Sequence, residues 1–191
     1  MNTWLRLLII CIMTTFIISL FQIDAEIFAG GFKYNTVTFV CEDGVSTSDC
    51  NLLKTAAYRW NGISSKRTLK YDGTKGSYNL YNAHVKSSTL YKHSNTSVLG
   101  EIIPWMGCTL LSGCRNAGIN DVWTSAYLRV YTSNFPSVDR SLYMAKTATH
   151  EFGHINSMAH TSNSSVMNSG LSKVSTLTSF DKTEMKRKWG N

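Results

Sequence analysis

Three of the chain's five histidines fall in one eleven-residue run, His150-Glu151-Phe152-Gly153-His154-Ile155-Asn156-Ser157-Met158-Ala159-His160. Histidines at i and i+4 lie one above the other on the same helix face, so His150 and His154 can aim nitrogen at one ion. Glu151 stands beside the first, placed to reach a water on that ion rather than the ion itself. His160 falls on another face and too far along for the same helix, so the chain must leave the helix after Ile155 and fold back. Three neutral imidazoles would hold one catalytic zinc and leave its fourth position to water, the open arrangement of a catalytic site. Zinc lowers the pKa of such a water, and Glu151 would take its proton as it attacks a polarised carbonyl. A bare H-E-x-x-H arises by accident on ordinary helices. With this composition the whole pattern arises by chance on the order of once in ten thousand trials. A zinc site kept only for structure is the bland reading, and Glu151 weighs against it.

The elements that must position this run are legible as patterns. Residues 33–40 alternate and are rich in β-branched and aromatic types, which predicts a strand. Ser48 or Asp49 can cap a helix carrying Leu52, Leu53, Ala56, Ala57 and Trp60, with Gly62 as its stop. Residues 69–120 give signals of short strands and turns, at Asp72-Gly73, Lys75-Gly76 and Ser112-Gly113. A second alternating strand fits 126–132. The helix bearing the histidines starts near Ser137 or Asp139 and turns Leu142, Ala145, Ala148 and Phe152 towards a core. Residues 157–178 are irregular, and a last helix fits 178–189, with Thr178 or Ser179 as cap and Gly190 as terminator. These elements predict an α+β layout rather than βαβ repeats.

The 191 residues fit one domain of 26–191 behind a leader of 1–25. That leader has one early Arg6, an apolar run over 7–23 and the small Ala25, the layout of a cleaved export signal; an uncleaved membrane anchor is the competing reading. Export predicts a secreted protein with no stable membrane association once the signal is gone. It also favours disulfides among Cys41, Cys50, Cys108 and Cys114, and the short spacings favour Cys41–Cys50 and Cys108–Cys114 over buried free thiols. The formal charge is +7, yet only 16% of residues are charged, and Lys186-Arg187-Lys188 is the one dense basic block. Such a triplet reads as a solvated helix face, so no nucleic-acid partner is expected.

The histidine run resembles the metzincin signature H-E-x-x-H-x-x-G-x-x-H, which is followed by a Met-turn. Met167, in Ser164-Ser165-Val166-Met167-Asn168, would be that methionine, an apolar floor beneath the ligands. Within the metzincins the chain is similar to matrixin-like catalytic domains (peptidase family M10). Trp60-Asn61, the strand of 128–134 and the closing helix from Phe180-Asp181 to Trp189-Gly190 fall in the expected order. The resemblance implies a metzincin-like single domain, a twisted mixed sheet with an active-site helix and a C-terminal helix. It implies a monomeric zinc endopeptidase acting on protein or peptide substrates. It also makes Leu99, Gly100, Glu101, Ile102 and Ile103 an edge strand on which substrate adds as an antiparallel strand. Pro104 is compatible with an edge, and Cys108–Cys114 would brace the loop beyond.

The chain departs from the pattern at Ser157, which stands where the signature has Gly. A left-handed serine costs about 1 kcal/mol unless Asn156 takes the turn instead. No cysteine-switch prodomain is recognisable. His84 and His93 read as surface residues rather than ligands of a second zinc, and calcium finds no Asp-rich loop to support it. Two rival functions follow: a catalytically inactive zinc-binding protein of the same fold acting as a secreted binding module, and a basic adhesion module presenting aromatic strands to polysaccharide.

Overall fold

The computed structural model describes residues 27–73, 84–90, 92–109 and 113–191, with the side chains of 108 and 109 excepted. The expected leader, the Lys75-Gly76 turn and Ser112 lie outside the described residues, as does the side chain of Cys108. Among the described residues no helix is long and apolar enough to cross a membrane.

In chain order the elements are β1 (Gly31–Phe32), β2 (Thr36–Cys41), α1 (Thr47–Tyr58), β3 (Thr68–Tyr71), β4 (His84–Leu90), β5 (Gly100–Thr109), β6 (Gly113–Asn116), β7 (Val122–Trp123), β8 (Ser125–Tyr131), a short 3-10 turn (Thr132–Asn134), α2 (Arg140–Ile155) and α3 (Ser179–Trp189). The main sheet is mixed, in the order β3-β2-β4-β8-β5-β6. Strands β3, β2, β4 and β8 run parallel, whereas β5 is antiparallel to both β8 and β6. Strands β1 and β7 form a separate parallel pair. Parallel neighbours need a crossover, and α1 supplies it between β2 and β3. Among the described residues this is the one such unit, not a repeat, so the α+β layout read from the sequence holds.

Alternation places Val37 and Phe39 of β2 and Ala126, Leu128 and Val130 of β8 in a core with Leu53, Trp60, Phe152 and Ile155. Both α1 and α2 cover this apolar face. The N-cap of α1 is Ser46, whose hydroxyl accepts from the Asp49 N–H, not Ser48 or Asp49 as expected; several nearby capping residues compete, and only geometry decides. Thr178 caps α3 in a reciprocal box with Asp181. Asp139 caps α2 from a left-handed conformation without a side-chain bond.

A disulfide joins Cys41 to Cys50, tying the end of β2 to α1. Cys114 is also disulfide-bonded. One expectation is overturned: His84 is buried, at 5% exposure. It opens β4, an interior strand between β2 and β8, where its Nδ1 meets the Thr38 hydroxyl at 2.5 Å. His93 is half-buried, with its Nδ1 accepting from the Asn95 N–H at 3.0 Å.

Candidate active site

Helix α2 ends at Ile155, where the sequence required it to stop. The stop is a Schellman motif: the Met158 N–H donates to Gly153 O at 3.0 Å and the Ser157 N–H to His154 O at 2.9 Å. Its left-handed position is Ser157 itself, at φ 66°, while Asn156 stays at φ −88°. Asn156 is committed elsewhere. Its Nδ2 donates to Phe152 O at 3.0 Å and its Oδ1 accepts from Arg67 Nε at 3.0 Å. The Ser157 hydroxyl donates to Gly30 O at 3.0 Å. A Cβ at Gly31 would lie 2.3 Å from that hydroxyl oxygen, so Gly31 makes room for a side chain that the signature's own glycine would not have had.

The turn brings His160 back over the helix. The rings of His150, His154 and His160 have centroids 4.7 to 5.0 Å apart, and one nitrogen from each lies within 4.8 Å of the others. His150 Nδ1 lies 2.9 Å from Val166 O and His154 Nδ1 2.8 Å from Met158 O. Carbonyls only accept, so both Nδ1 atoms carry hydrogen and both Nε2 atoms present lone pairs to the cleft. His150 Nε2 and His160 Nε2 approach to 3.1 Å. Ligands about 2.1 Å from a tetrahedral ion are about 3.4 Å apart, so this donor set fits zinc. Burial keeps the rings neutral: it pushes His150 well below the ordinary imidazole value, His154 down to about 4 and His160 down as well. Neutral imidazole is the form that binds metal.

Glu151 is 4% exposed. Burial raises its carboxyl to about 8; Lys146 opposes the rise and Glu101 adds to it. A Cβ at Gly100 would come within 2.8 Å of Glu151 Oε1, so a glycine in β5 leaves the carboxylate its space. Met167 is 3% exposed, and a Cβ at Gly153 would lie 2.3 Å from its sulfur. The methionine therefore packs against α2 at Gly153, between the two helical histidines in sequence.

Residues that sequence patterns did not single out hold this assembly. Buried Asp181 accepts from the Ser165 hydroxyl through Oδ1 and from the Val166 N–H at 3.2 Å through Oδ2, fixing the segment that carries Met167. Arg67, at 1% exposure, donates to Ile155 O at 2.6 Å and Tyr34 O at 2.5 Å. Its guanidinium sits 4.3 Å from the Trp189 ring, a cation at the carbonyl end of α2. Phe28 stacks on His154 at 5.6 Å. These contacts join residues far apart in the chain, which local periodicity does not reveal.

The histidines line a cleft of about 590 Å³, whose wall includes Leu99 to Ile102. Strand β6 pairs with β5 only from Trp105 onward. Among the described residues, nothing pairs with the outer side of 100–103, which leaves that stretch of β5 an open edge.

No protein-family model matches the sequence, and no curated protein resembles it closely enough to match. Solved structures match it by shape. Two structures of myroilysin align with TM-scores of 0.52 and 0.51 at 12% and 14% identity. They cover 85% and 84% of this chain and 97% and 86% of theirs. Archaemetzincin from Archaeoglobus fulgidus, complexed with malonate, aligns at a TM-score of 0.41 and 16% identity over 78% of this chain and 99% of its own. The myroilysin likeness is one of fold: this chain shares that protein's α+β architecture, a single domain built on a mixed sheet.

Proposed function

We propose that the protein is a zinc-dependent metalloendopeptidase of matrixin-like type, exported behind a leader cleaved near Ala25 and acting on protein or peptide substrates. One observation carries the reading: three neutral imidazoles converge, with the Nδ1 atoms of two tied to backbone carbonyls, while a buried carboxyl stands at the same cleft. His150, His154 and His160 would hold the ion through ring nitrogens. Zinc, when bound, polarises the substrate carbonyl and makes water acidic enough to attack near neutral pH.

The chain's own residues do the rest. The open edge at 100–103 offers main-chain N–H and C=O groups to an extended peptide, aligning its scissile carbonyl with the cleft. Glu151, beside His150, takes the proton from the attacking water and returns it to the leaving amine. A carboxyl whose proton affinity burial has raised suits both halves of that task. Met167 keeps the two helical ligands from shifting, and the carbonyls of Val166 and Met158 hold their rings in the ligating tautomer.

The test is hydrolysis of unfolded casein by zinc-loaded protein, with zinc content measured on the same sample. Activity should vanish on chelation, return with zinc, and fall at least about a thousand-fold in Glu151→Gln. Full activity in that variant removes the mechanism. Stoichiometric zinc with no turnover of any peptide would favour a binding module instead.

A further inference from the structure

Lys146 is the ammonium of the cleft, and this mechanism does not use it. It lies one turn before His150 on α2, so it shares the face of the metal ligands. It is 3% exposed, and it lines the cleft together with Leu99, Thr147 and Gly170. Its Nζ donates to Asn168 O at 2.6 Å and Gly170 O at 3.1 Å. An ammonium has three hydrogens to donate, and these two bonds leave one over. Among the described residues no carboxylate forms an ion pair with it. The cleft's other carboxylate, Glu101, follows Gly100 on β5 and points to the opposite face of the strand. There it accepts from Tyr131 and pairs with Arg129 at 3.4 Å. Its two direct partners are neutral carbonyls, Glu151 supplies opposite charge only through space without pairing with it, and burial pushes this ammonium down to about 8.

The direction of β5 decides which part of a substrate meets Lys146. The strand runs from Gly100 towards Thr109, and its Gly100 end abuts Thr147 and Glu151. A peptide added antiparallel has its amino-terminal half beside Pro104 and its carboxy-terminal half beside Gly100. The Lys146 end of the cleft therefore receives the residue that follows the scissile bond.

We propose that Lys146 makes this end of the cleft selective for an acidic side chain, Asp or Glu, immediately after the bond to be cut. The inference rests on the endopeptidase reading. A carboxylate there completes the ammonium's third bond as a charge-assisted one; an apolar side chain leaves the cation unpaired, and a basic one meets like charge.

The experiment has two stages. Zinc-loaded protein is given a peptide mixture, and mass spectrometry locates the cuts. Matched synthetic peptides then carry Asp, Asn or Leu after the cut, with kcat/KM measured for each. Asp should exceed its isostere Asn by about ten-fold or more. In Lys146→Met that ratio should collapse to about one, and in Lys146→Glu a peptide with Lys at this position should become preferred over Asp. Calorimetric titration of zinc-loaded Glu151→Ala with the Asp and Asn peptides reads the same preference as a ratio of Kd values, without turnover. Equal cleavage and binding of Asp and Asn peptides by otherwise native protein would overturn the proposal and leave proteolysis standing. So would a Met variant that slows both peptides equally, making Lys146 only a tie to the 168–170 segment. Failure of the zinc-loaded protein to cut any peptide would refute the endopeptidase reading, and this inference with it.

Discussion

Two groups of the site titrate in opposite senses, and their opposition predicts an unusual pH profile for the metal-free protein. Burial holds His154 down to about 4, against an ordinary value near 6.5. A histidine depressed in the folded state leaves more protons on the unfolded chain as pH falls through 6.5, so acid removes stability. From pH 7 to pH 5 His154 alone accounts for a loss of about 2 kcal/mol, and His150 and His160 act in the same direction. Glu151 works the other way. Its folded carboxyl, raised to about 8 from 4.5, keeps a proton that the unfolded chain gives up, so its contribution is full below pH 4.5 and is lost as pH rises through 8. Over the same interval it adds about 2 to 3 kcal/mol on acidification. The chelated wild type should therefore lose less stability between pH 7 and 5 than its three histidines alone would remove. Chelated Glu151→Gln keeps the histidines and loses the compensation, so its stability should fall by about 2 to 3 kcal/mol more over that range. Urea unfolding followed by tryptophan fluorescence, in chelator at both pH values, measures the difference. Parallel profiles for the two proteins would refute the opposed titrations.

Three further outcomes follow from the packing. Gly153→Ala would gain about 1 kcal/mol of helix propensity, but its Cβ would lie 2.3 Å from Met167 Sδ and 2.8 Å from Trp60 Cζ2. Overpacking costs about 1 to 3 kcal/mol, so the variant should be no more stable and should bind zinc more weakly in competition with a chelating dye. Gly31→Ala combines a Cβ 2.3 Å from the Ser157 hydroxyl with φ +111° and should lose about 2 to 4 kcal/mol in denaturant unfolding, part of it recovered in the double variant with Ser157→Gly. Arg67→Met should lose about 3 to 5 kcal/mol in the same assay, because it strands Ile155 O and Asn156 Oδ1 in the interior.

What could be read in the sequence was what local spacing determines. The offsets among His150, His154 and His160 imply a helix, a stop and a return; alternation marks β2 and β8, and the Thr178 cap marks α3. The open stretch of β5 was legible only by resemblance, because nothing local distinguishes an edge strand from its neighbours. The burial of His84 was not legible either, since it depends on β4 lying between β2 and β8 rather than on residues near His84 in the chain. Lys146 carried one overlooked signal, its position four residues before His150 on the face that bears the ligands. Arg67 and Asp181 carried none, since each acts on main-chain groups of segments distant in sequence.

Ser157 shows how such distant contacts decide whether a departure from the pattern matters. A serine held at positive φ costs about 1 kcal/mol, and its hydroxyl bond to Gly30 O restores about as much. The remaining contacts all favour the turn. The Phe28 N–H donates to Ser157 O at 2.7 Å, and residue 27 bridges Met158. From the other end of the chain, Trp189 Nε1 donates to Asn156 O at 2.9 Å, while its ring stacks with the Arg67 guanidinium that holds Ile155 O. The segment that presents His160 is thus clamped between the stretch 27–30, just before β1, and α3, and its shape is set by groups that reach it from outside. A serine at this position is compatible with the ligand geometry because the neighbouring chain supplies the rigidity that glycine would otherwise have left to the turn alone.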